Sequence, residues 1–432
     1  MFFDKEIETM SRADMDALQL IRLKRIVDYC GKNVPFYERR LREADITAEK
    51  IKTLDDIQYI PPTTKEDLRD NYPFGLFARP LKEITRIHAS SGTTGKPTVV
   101  GYTKNDLDMW SDCVARIAAA GGATSDDIVQ VSFGYGMFTG ALGLHYGLEK
   151  IGATVIPNSS GNTEKALMYM RDFKTTALVA TPSYALYMYE SAKSISDMSE
   201  YNLKLGLFGS EGCTPEMRKL IEEGWGLFAT DNYGMSELLG PGVSGECKQR
   251  EGLHFCEDHF FPEIVDSNTL QKLPEGKTGE LLVTTLTKEG IPLLRYRTRD
   301  ITRLNYEPCK CGRTGVRMDK VTGRSDDMLK IRGVNVFPSQ IESVLVSIDK
   351  VGPHYQLIVR REGFTDTLEV QVELMDAMID KYSDIENLQM RIKDRLFFVL
   401  GIQCKVSIVE HNTIERFVGK AKRVVDLRGN DK

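Results

Sequence analysis

The chain has 432 residues, enough for a large domain with a smaller companion. Its 57 Lys and Arg against 62 Asp and Glu give a net charge of −5 without long single-sign blocks, which argues against nucleic-acid and anionic-membrane partners. No segment reaches the roughly 20 apolar residues that span a bilayer, and no basic region followed by an apolar run opens the chain. We therefore expect a cytoplasmic protein with a small-molecule ligand.

After about 80 residues of predicted helices and turns comes a loop rich in glycine and hydroxyl side chains, between two strand-like segments. Glycines allow tight turns, hydroxyls supply donors and a lysine adds positive charge, which together suit a polyphosphate. The P-loop of nucleotide hydrolases differs, since it requires Gly in place of Ser90 and Ser or Thr in place of Pro97. A flexible surface loop is the alternative. The candidate phosphate-binding residues are Ser90, Ser91, Gly92, Thr93, Thr94, Gly95 and Lys96.

Strand-like and helix-like segments then alternate. A helix is predicted from Lys104 to Ala120, a strand from Ile128 to Ser132, and strand-to-turn units at 178–183 and 203–209. This alternation favours a mostly parallel α/β sheet, in which ligands bind where strands end. Further candidate ligand contacts at such an end are Gly209, Ser210 and Glu211.

Residues 133–140 combine aromatic side chains with small ones. Aromatics spaced by glycines can wall a flat apolar pocket while the backbone passes close to a ligand. An ordinary aromatic core at a strand end is the alternative. The candidate pocket residues are Phe133, Tyr135, Phe138 and Gly140.

Two further motifs suit a nucleotide. The segment Tyr233-Gly234-Met235-Ser236-Glu237 offers a ring for stacking on a base, a hydroxyl for a phosphate and a carboxylate for Mg²⁺. Asp300, at the end of a predicted strand and among arginines, can accept hydrogen bonds from ribose hydroxyls. A capped turn and a surface ion pair are the respective alternatives.

The sequence becomes polar and turn-like from about residue 322, and we place a domain boundary between residues 325 and 326. Beyond it, alternating runs at 355–360 and 368–374 and helical periodicity over 385–400 predict a small α+β domain. The predicted fold class is α/β, with a large multi-sheet N-terminal domain (1–325) and a smaller C-terminal domain (326–432).

In this order the motifs resemble the adenylate-forming superfamily of acyl-CoA synthetases, and within it the phenylacetate-CoA ligases. The resemblance covers nearly the whole chain and is closest at Ser90–Thr98, Phe133–Gly140, Tyr233–Glu237 and Tyr296–Thr302. Arg299 replaces the glycine usual in the wider superfamily, as is common in the phenylacetate group. The resemblance implies an ATP- and CoA-dependent ligase that releases AMP and pyrophosphate, with a C-terminal domain that rotates between two half-reactions.

The resemblance also implies individual roles. Residues 90–96 embrace the pyrophosphate, Tyr233 packs by adenine, Glu237 supports Mg²⁺ and Asp300 grips the ribose. In the C-terminal part, the implied roles are nucleotide contact for Arg324, hinge for Asp326 and mobile catalytic lysine for Lys420. Lys422 and Arg423 lie nearby, so a shift in alignment would move the catalytic assignment.

Cysteine usage points to a second site, because eight cysteines in a chain of this length do not form a disulfide scaffold. The cysteine cluster is Cys247, His254, Cys309 and Cys311. Three thiolates and one imidazole suit tetrahedral Zn²⁺, and without an evident open position its role would be structural. Cys256 and His259 compete as ligands, and a set of buried thiols is the alternative.

The expected substrate is an aryl carboxylic acid, most closely phenylacetate or another arylacetate, which indicates aromatic acid catabolism. One rival is adenylation of an acid for a non-CoA acceptor. The other is a nucleotide-binding regulatory module without turnover, which the presence of Lys420 and Glu237 disfavours. A homodimer is left open.

Overall fold

The computed structural model describes residues 1–90, 97–326, 329–332, 334–362, 365–374, 382–410, 413–415 and 423–428. The chain divides into two compact units, Met1–Ser210 with Glu222–Val321, and Glu211–Ile221 with Thr322–Lys432. The domain boundary between residues 325 and 326 stays a prediction. Each unit has its own core of buried apolar side chains.

The helices and strands of the described residues are as follows. The helices are α1 (Lys5–Glu8), α2 (Arg12–Asn33), α3 (Pro35–Glu43), α4 (Lys65–Asp70), α5 (Lys104–Gly121), α6 (Gly140–Ile151), α7 (Thr163–Asp172), α8 (Pro182–Ile195), α9 (Pro215–Trp225), α10 (Pro338–Val346) and α11 (Tyr382–Leu400). The strands are β1 (Arg86–Ala89), β2 (Val99–Tyr102), β3 (Ile128–Val131), β4 (Thr154–Ile156), β5 (Ala177–Ala180), β6 (Leu205–Gly209), β7 (Phe228–Met235), β8 (Gly240–Glu246), β9 (Leu253–Phe255), β10 (Phe260–Val265), β11 (Gly279–Thr285), β12 (Tyr296–Thr302), β13 (Leu304–Asn305), β14 (Arg317–Met318), β15 (Gly323–Arg324), β16 (Leu329–Ile331), β17 (Val334–Val336), β18 (Val351–Glu362), β19 (Thr365–Leu374), β20 (Lys405–Val409) and β21 (Val424–Asp426).

Within the described residues, the larger unit contains a nine-stranded sheet in the order β13-β14-β9-β8-β7-β6-β5-β3-β4. The prediction of a mostly parallel sheet is correct for the half from β4 to β7, where helices connect the strands. The half from β7 to β13 is antiparallel. In this half short connections join β7 to β8 and β8 to β9. Strands joined by a short connection pair antiparallel, because a parallel pair needs a long crossover.

Helix α5 illustrates how local signals set an element. The Thr103 side chain accepts from Asp106 N, and the Asp106 side chain accepts in turn from Thr103 N, so the two residues form a capping box. The helix ends where Gly122 adopts a left-handed φ of 115°. The prediction of Lys104–Ala120 is therefore confirmed to within one residue.

The smaller unit is an α+β fold, as the alternating runs predicted. Strands β18 and β19 form an antiparallel pair, β20 adds parallel to β19, and β21 adds parallel to β18. Helices α10 and α11 contribute Ile341, Val344, Ile392 and Leu396 to its core. Across both units, the described helices include none with the length and apolar character needed to cross a membrane.

Candidate active site and cysteine cluster

Strands β1 and β2 flank the predicted phosphate loop as expected, and they pair antiparallel with each other. Ser90 N donates to Thr98 O (3.0 Å), and Thr98 N donates to Ser90 Oγ (3.1 Å). The preceding residues reach the predicted acid pocket, since Ala89 N (2.9 Å) and His88 Nδ1 (3.1 Å) both bond to Met137 O. The remaining loop residues lie outside the described chain: Ser91, Gly92, Thr93, Thr94, Gly95 and Lys96.

His88 lies beside the phosphate loop and was not predicted from the sequence. It is 1% exposed, and its ring packs edge-on against Tyr102 and Trp110. Because a carbonyl only accepts, the proton of the neutral ring lies on Nδ1, while the buried Nε2 has no hydrogen-bond partner among the described residues. Burial lowers the pKa of His88, so the neutral form is favoured.

The predicted acid-pocket residues lie together between β3 and the start of α6. Phe133 is buried, whereas Phe138 is 44% exposed. The Tyr135 hydroxyl lies 3.0 Å from His145 Nδ1, a contact that the sequence did not reveal. A Cβ at Gly140 would lie 3.0 Å from Phe138 Cε1, so the absence of a side chain at 140 serves first to let that ring pack closely.

The residues predicted to contact adenine and ribose meet directly. The Tyr233 hydroxyl donates to Asp300 Oδ2 at 2.6 Å, which joins β7 to β12. Asp300 lies inside its strand, and the prediction of a strand end was wrong. The reason is that Ile301 and Thr302 continue to pair with β11, while the left-handed φ of 46° at Arg295 delays the start of the strand.

Glycines shape the backbone around Tyr233. A Cβ at Gly234 would lie 1.8 Å from Gly240 O, where a register shift separates Tyr233 from Gly234 in the β7–β8 pair. A Cβ at Gly209 would lie 2.7 Å from Asn232 O, so β6 ends in close contact with the strand that carries Tyr233. Ser210, which follows, has a left-handed φ of 70°.

Glu237 lies on the short turn after β7, and the residue is 3% exposed. Its Oε1 atom makes no hydrogen bond to any described residue, although Lys65 Nζ lies 3.4 Å away. The ion pair with Lys65 leaves this buried oxygen without a hydrogen bond, which is costly, and a hard cation such as Mg²⁺ would satisfy it. The geometry therefore fits the role that the sequence suggested for this residue.

Contacts from distant segments hold the turn that carries Glu237. Lys288 Nζ donates to Glu237 O (3.1 Å) and Leu238 O (2.7 Å), and the Tyr102 hydroxyl donates to Leu239 O (2.7 Å). Ser236 Oγ lies 2.9 Å from Thr139 Oγ1, which links the turn to the predicted acid pocket. Lys288 was not predicted from the sequence, because its acceptors are main-chain carbonyls.

The candidates from the smaller unit are only partly described. Glu211 belongs to that unit, and so do Arg324 and Asp326, which form an ion pair at 2.9 Å. Lys420 and Lys422 lie outside the described residues.

Arg423, the other alternative from the alignment, is described and buried. Its guanidinium pairs with Glu342 at 3.0 Å and lies 4.2 Å from the centroid of the Tyr355 ring. Burial opposes the guanidinium charge, but the neighbouring Tyr355 and Glu342 raise the pKa of Arg423. The charge of Arg423 is therefore engaged within the smaller unit.

The four residues of the cysteine cluster come together at the antiparallel end of the large sheet. Their ligand atoms all lie within 4.8 Å of one another. Cys247 Sγ and Cys309 Sγ are 3.7 Å apart, and Cys311 Sγ and His254 Nε2 are 3.5 Å apart. Tetrahedral zinc with ordinary bond lengths would place two sulfurs about 3.8 Å apart and a sulfur and a nitrogen about 3.5 Å apart. The donor set and these two distances thus fit Zn²⁺.

The two competing ligands have other partners. Cys256 Sγ lies 3.8 Å from Cys113 O, while His259 contacts Asp258 Oδ2 (3.0 Å) and Thr287 Oγ1 (2.8 Å). The hydrogen bond between Cys247 and Cys311 lowers the pKa of Cys311 and raises that of Cys247.

The Cys309–Arg313 turn also holds the N-terminal segment. Gly312 has a left-handed φ of 90°, and Cys309 N donates to Arg313 O at 3.1 Å. Arg313 Nη2 donates to Met1 O (2.7 Å), and Arg313 Nε pairs with Glu8 Oε2 (2.5 Å). The cluster is therefore coupled to residues more than 300 positions away in sequence.

Comparisons with known proteins extend these observations. The family model for AMP-binding enzymes matches residues 24–287, and the model for the C-terminal domain of AMP-binding enzymes matches residues 333–428. The chain is 48% identical to the phenylacetate-coenzyme A ligase of Thermus thermophilus, over 99% of this chain and 100% of that protein.

Solved structures of 2-hydroxyisobutyryl-CoA ligase are similar as well. Its postadenylation state with 2-HIB-AMP aligns with a TM-score of 0.93 at 29% identity, covering 99% of this chain and 93% of that one. Its thioesterification state with 2-HIB-AMP and CoA aligns with a TM-score of 0.74 at 29% identity, covering 98% and 92%. The chain belongs to the AMP-binding enzyme family and, within it, to the phenylacetate-coenzyme A ligases, as an AMP-forming acid–CoA ligase.

Proposed function

We propose that this ligase converts an arylacetate, phenylacetate in the first place, into its CoA thioester through an acyl-adenylate. The observation that carries the proposal is the double hydrogen bond from Ala89 and His88 to Met137 O. It fixes the aromatic segment 133–140 against the entrance of the phosphate loop, so an acid in that segment would have its carboxylate close to bound ATP. The near full-length identity to a phenylacetate-coenzyme A ligase supports the choice of acid.

In the first half-reaction the acid carboxylate attacks the α-phosphate of ATP, and pyrophosphate leaves. Residues 90–96 would hold the pyrophosphate through amides, hydroxyls and Lys96, while Tyr233 and Asp300 would orient the nucleoside. Mg²⁺ bound through Glu237 would supply positive charge to the phosphates. The Lys420 ammonium would stabilise the charge that develops on the phosphate oxygens.

In the second half-reaction the CoA thiol attacks the carbonyl of the adenylate, and AMP leaves with the bonding electrons of the C–O bond. Lys420 serves the first step, so we propose that the C-terminal domain rotates and carries it away before the second, with Asp326 at the hinge. The structures of 2-hydroxyisobutyryl-CoA ligase in a postadenylation state and in a thioesterification state support such a cycle.

We also propose that the cysteine cluster holds a structural Zn²⁺. Its three sulfurs and one nitrogen would complete a closed tetrahedral site, which leaves no position for a substrate. The metal would join the segment after β8, strand β9 and the Cys309–Arg313 turn. The cytoplasmic location and the homodimer remain predictions.

The decisive experiment incubates the purified protein with ATP, Mg²⁺, CoA and a panel of aryl and alkyl acids, and measures thioester by mass spectrometry. Phenylacetyl-CoA is expected as the most rapidly formed product. AMP release with and without CoA distinguishes a CoA ligase from an enzyme with another acceptor. If no acid of the panel gives either thioester or pyrophosphate, the proposed function is wrong.

A further inference from the structure

Lys288 is a buried cation to which the proposed reaction assigns no role. It follows β11 and is 1% exposed. Within the described residues it forms no ion pair, and burial lowers its pKa to about 8. A buried ammonium costs free energy unless acceptors satisfy its donors, so the acceptors of Lys288 indicate what it does.

The acceptors of Lys288 belong to the turn that carries Glu237. Its Nζ atom donates to the main-chain carbonyls of Glu237 (3.1 Å) and Leu238 (2.7 Å), and it lies 4.9 Å from the centroid of the Tyr102 ring. The Tyr102 hydroxyl donates to the next carbonyl, that of Leu239, at 2.7 Å. Two side chains therefore hold three successive carbonyls of the turn that presents the Glu237 carboxylate.

The segment that carries Lys288 is itself fixed. Asp106 is 1% exposed, and its carboxylate accepts from Glu289 N (2.7 Å) and Gly290 N (2.8 Å). It also accepts from Thr103 N (2.9 Å) at the start of α5. Lys288 thus extends from an anchored backbone to the turn, which gives it the rigidity that a supporting residue requires.

We propose that Lys288 is a positioning residue for the metal step: by fixing the backbone at 237–238, it directs the Glu237 carboxylate toward the Mg²⁺ that accompanies ATP. This inference rests on the proposed role of Glu237. Residues behind a metal ligand determine its orientation, and their loss lowers metal affinity by about 10- to 100-fold.

The test uses the full-length chain with Lys288→Met, which keeps most of the side-chain volume and removes the donors. The Mg²⁺ concentration for half-maximal pyrophosphate release is expected to rise about tenfold, with the KM of the acid unchanged. Lys272→Met, which alters an exposed lysine paired with Asp55, is the matched control and should behave as wild type.

A double-mutant cycle with Glu237→Gln separates the possible outcomes. Glu237→Gln alone should raise the Mg²⁺ requirement, and adding Lys288→Met should raise it little further, because both changes affect one interaction. An unchanged Mg²⁺ requirement in folded Lys288→Met, or a full additional shift in the double variant, overturns the inference. An unchanged requirement in Glu237→Gln instead overturns the proposed metal ligand.

Circular dichroism and thermal unfolding establish whether Lys288→Met folds. If it does not, Tyr102→Phe tests the same support, because it removes only the hydroxyl that binds Leu239 O and keeps the ring stacked on Trp110. The expected rise in the Mg²⁺ requirement is about threefold, as for loss of one hydrogen bond. A wild-type requirement in Tyr102→Phe would then contradict the inference.

Discussion

Tyr233 and Asp300 are 67 residues apart in sequence and share a 2.6 Å hydrogen bond from the phenol to the carboxylate. The bond joins β7 of the nine-stranded sheet to β12 of a second sheet, in which β10, β11 and β12 are antiparallel neighbours. The predicted adenine and ribose contacts are therefore one unit, and a change at either residue should affect nucleotide binding as a whole.

Tyr233→Phe keeps the ring and removes this hydrogen bond. We expect the KM for ATP to rise about tenfold, since a hydrogen bond to a charged group contributes about 1.5–3 kcal/mol, while the KM for the acid stays unchanged. Steady-state kinetics with each substrate varied in turn provides the measurement. Tyr59→Phe, at a tyrosine that is 63% exposed, is the control. An equal rise in both KM values would argue against a role specific to the nucleotide.

Lys420→Ala should separate the two half-reactions. Adenylation is expected to slow by about 100-fold or more, because the charge that develops on the phosphate loses its stabilising cation. Thioester formation from supplied phenylacetyl-AMP and CoA should change far less. Lys422→Ala is the control for the alignment and should retain adenylation. Equal losses in both steps for Lys420→Ala would rule out the proposal that Lys420 acts only in adenylation.

Loss of the metal should loosen the N-terminal segment as well as the cluster. Cys309→Ser removes a ligand from the turn whose Arg313 binds Met1 O and Glu8, so residues 1–10 should become accessible to protease. We expect an unfolding free energy lower by about 3 kcal/mol or more, as is typical when a structural metal is lost. Limited proteolysis with mass spectrometry, together with zinc analysis, provides the readout.

Cys404→Ser is the matched control for this experiment, because Cys404 is a buried thiol in the other unit. It should retain zinc and an intact N-terminus. Purified wild-type protein without a stoichiometric metal would show that the cluster is only a group of buried thiols.

His88 should make stability depend on pH. Burial lowers its folded-state pKa below the usual 6.5, so the unfolded chain takes up the proton first as pH falls. The stability that neutral His88 contributes is complete above pH 6.5 and is lost as pH falls from there through the folded-state pKa. His88→Asn preserves a donor at the position of Nδ1 but does not titrate. Its unfolding free energy, measured by urea denaturation, should therefore fall less between pH 7 and pH 5 than that of wild type; parallel curves would contradict this.

Local signals made much of the fold predictable. The capping box at Thr103, the glycine after α5 and the alternating runs of the smaller unit each specify an element from neighbouring residues. The antiparallel half of the large sheet was missed because strand direction depends on connections that carry no strong periodic pattern. Asp300 was placed at a strand end for a similar reason, since pairing with β11 extends the strand beyond it.

Side-chain chemistry identified the candidate site residues in the sequence, but it did not identify the residues that hold them in place. Ligand type alone identified the cysteine cluster, which the fold brings within 4.8 Å. Lys288 and His88 bond to main-chain carbonyls. Every residue has such a carbonyl, so the sequence does not show which one accepts the hydrogen bond. The catalytic assignment at position 420 lies outside the described residues and remains a prediction.

The hydroxyl pair of Thr139 and Ser236, 2.9 Å apart, affects any effort to redesign this ligase for other acids. A substitution in the 133–140 segment that removes the Thr139 hydroxyl also removes a support of the turn that carries Glu237. Libraries built at this position and screened at a single magnesium concentration would therefore discard variants that accept the new acid but need more of the cation. Screening at two concentrations would recover them.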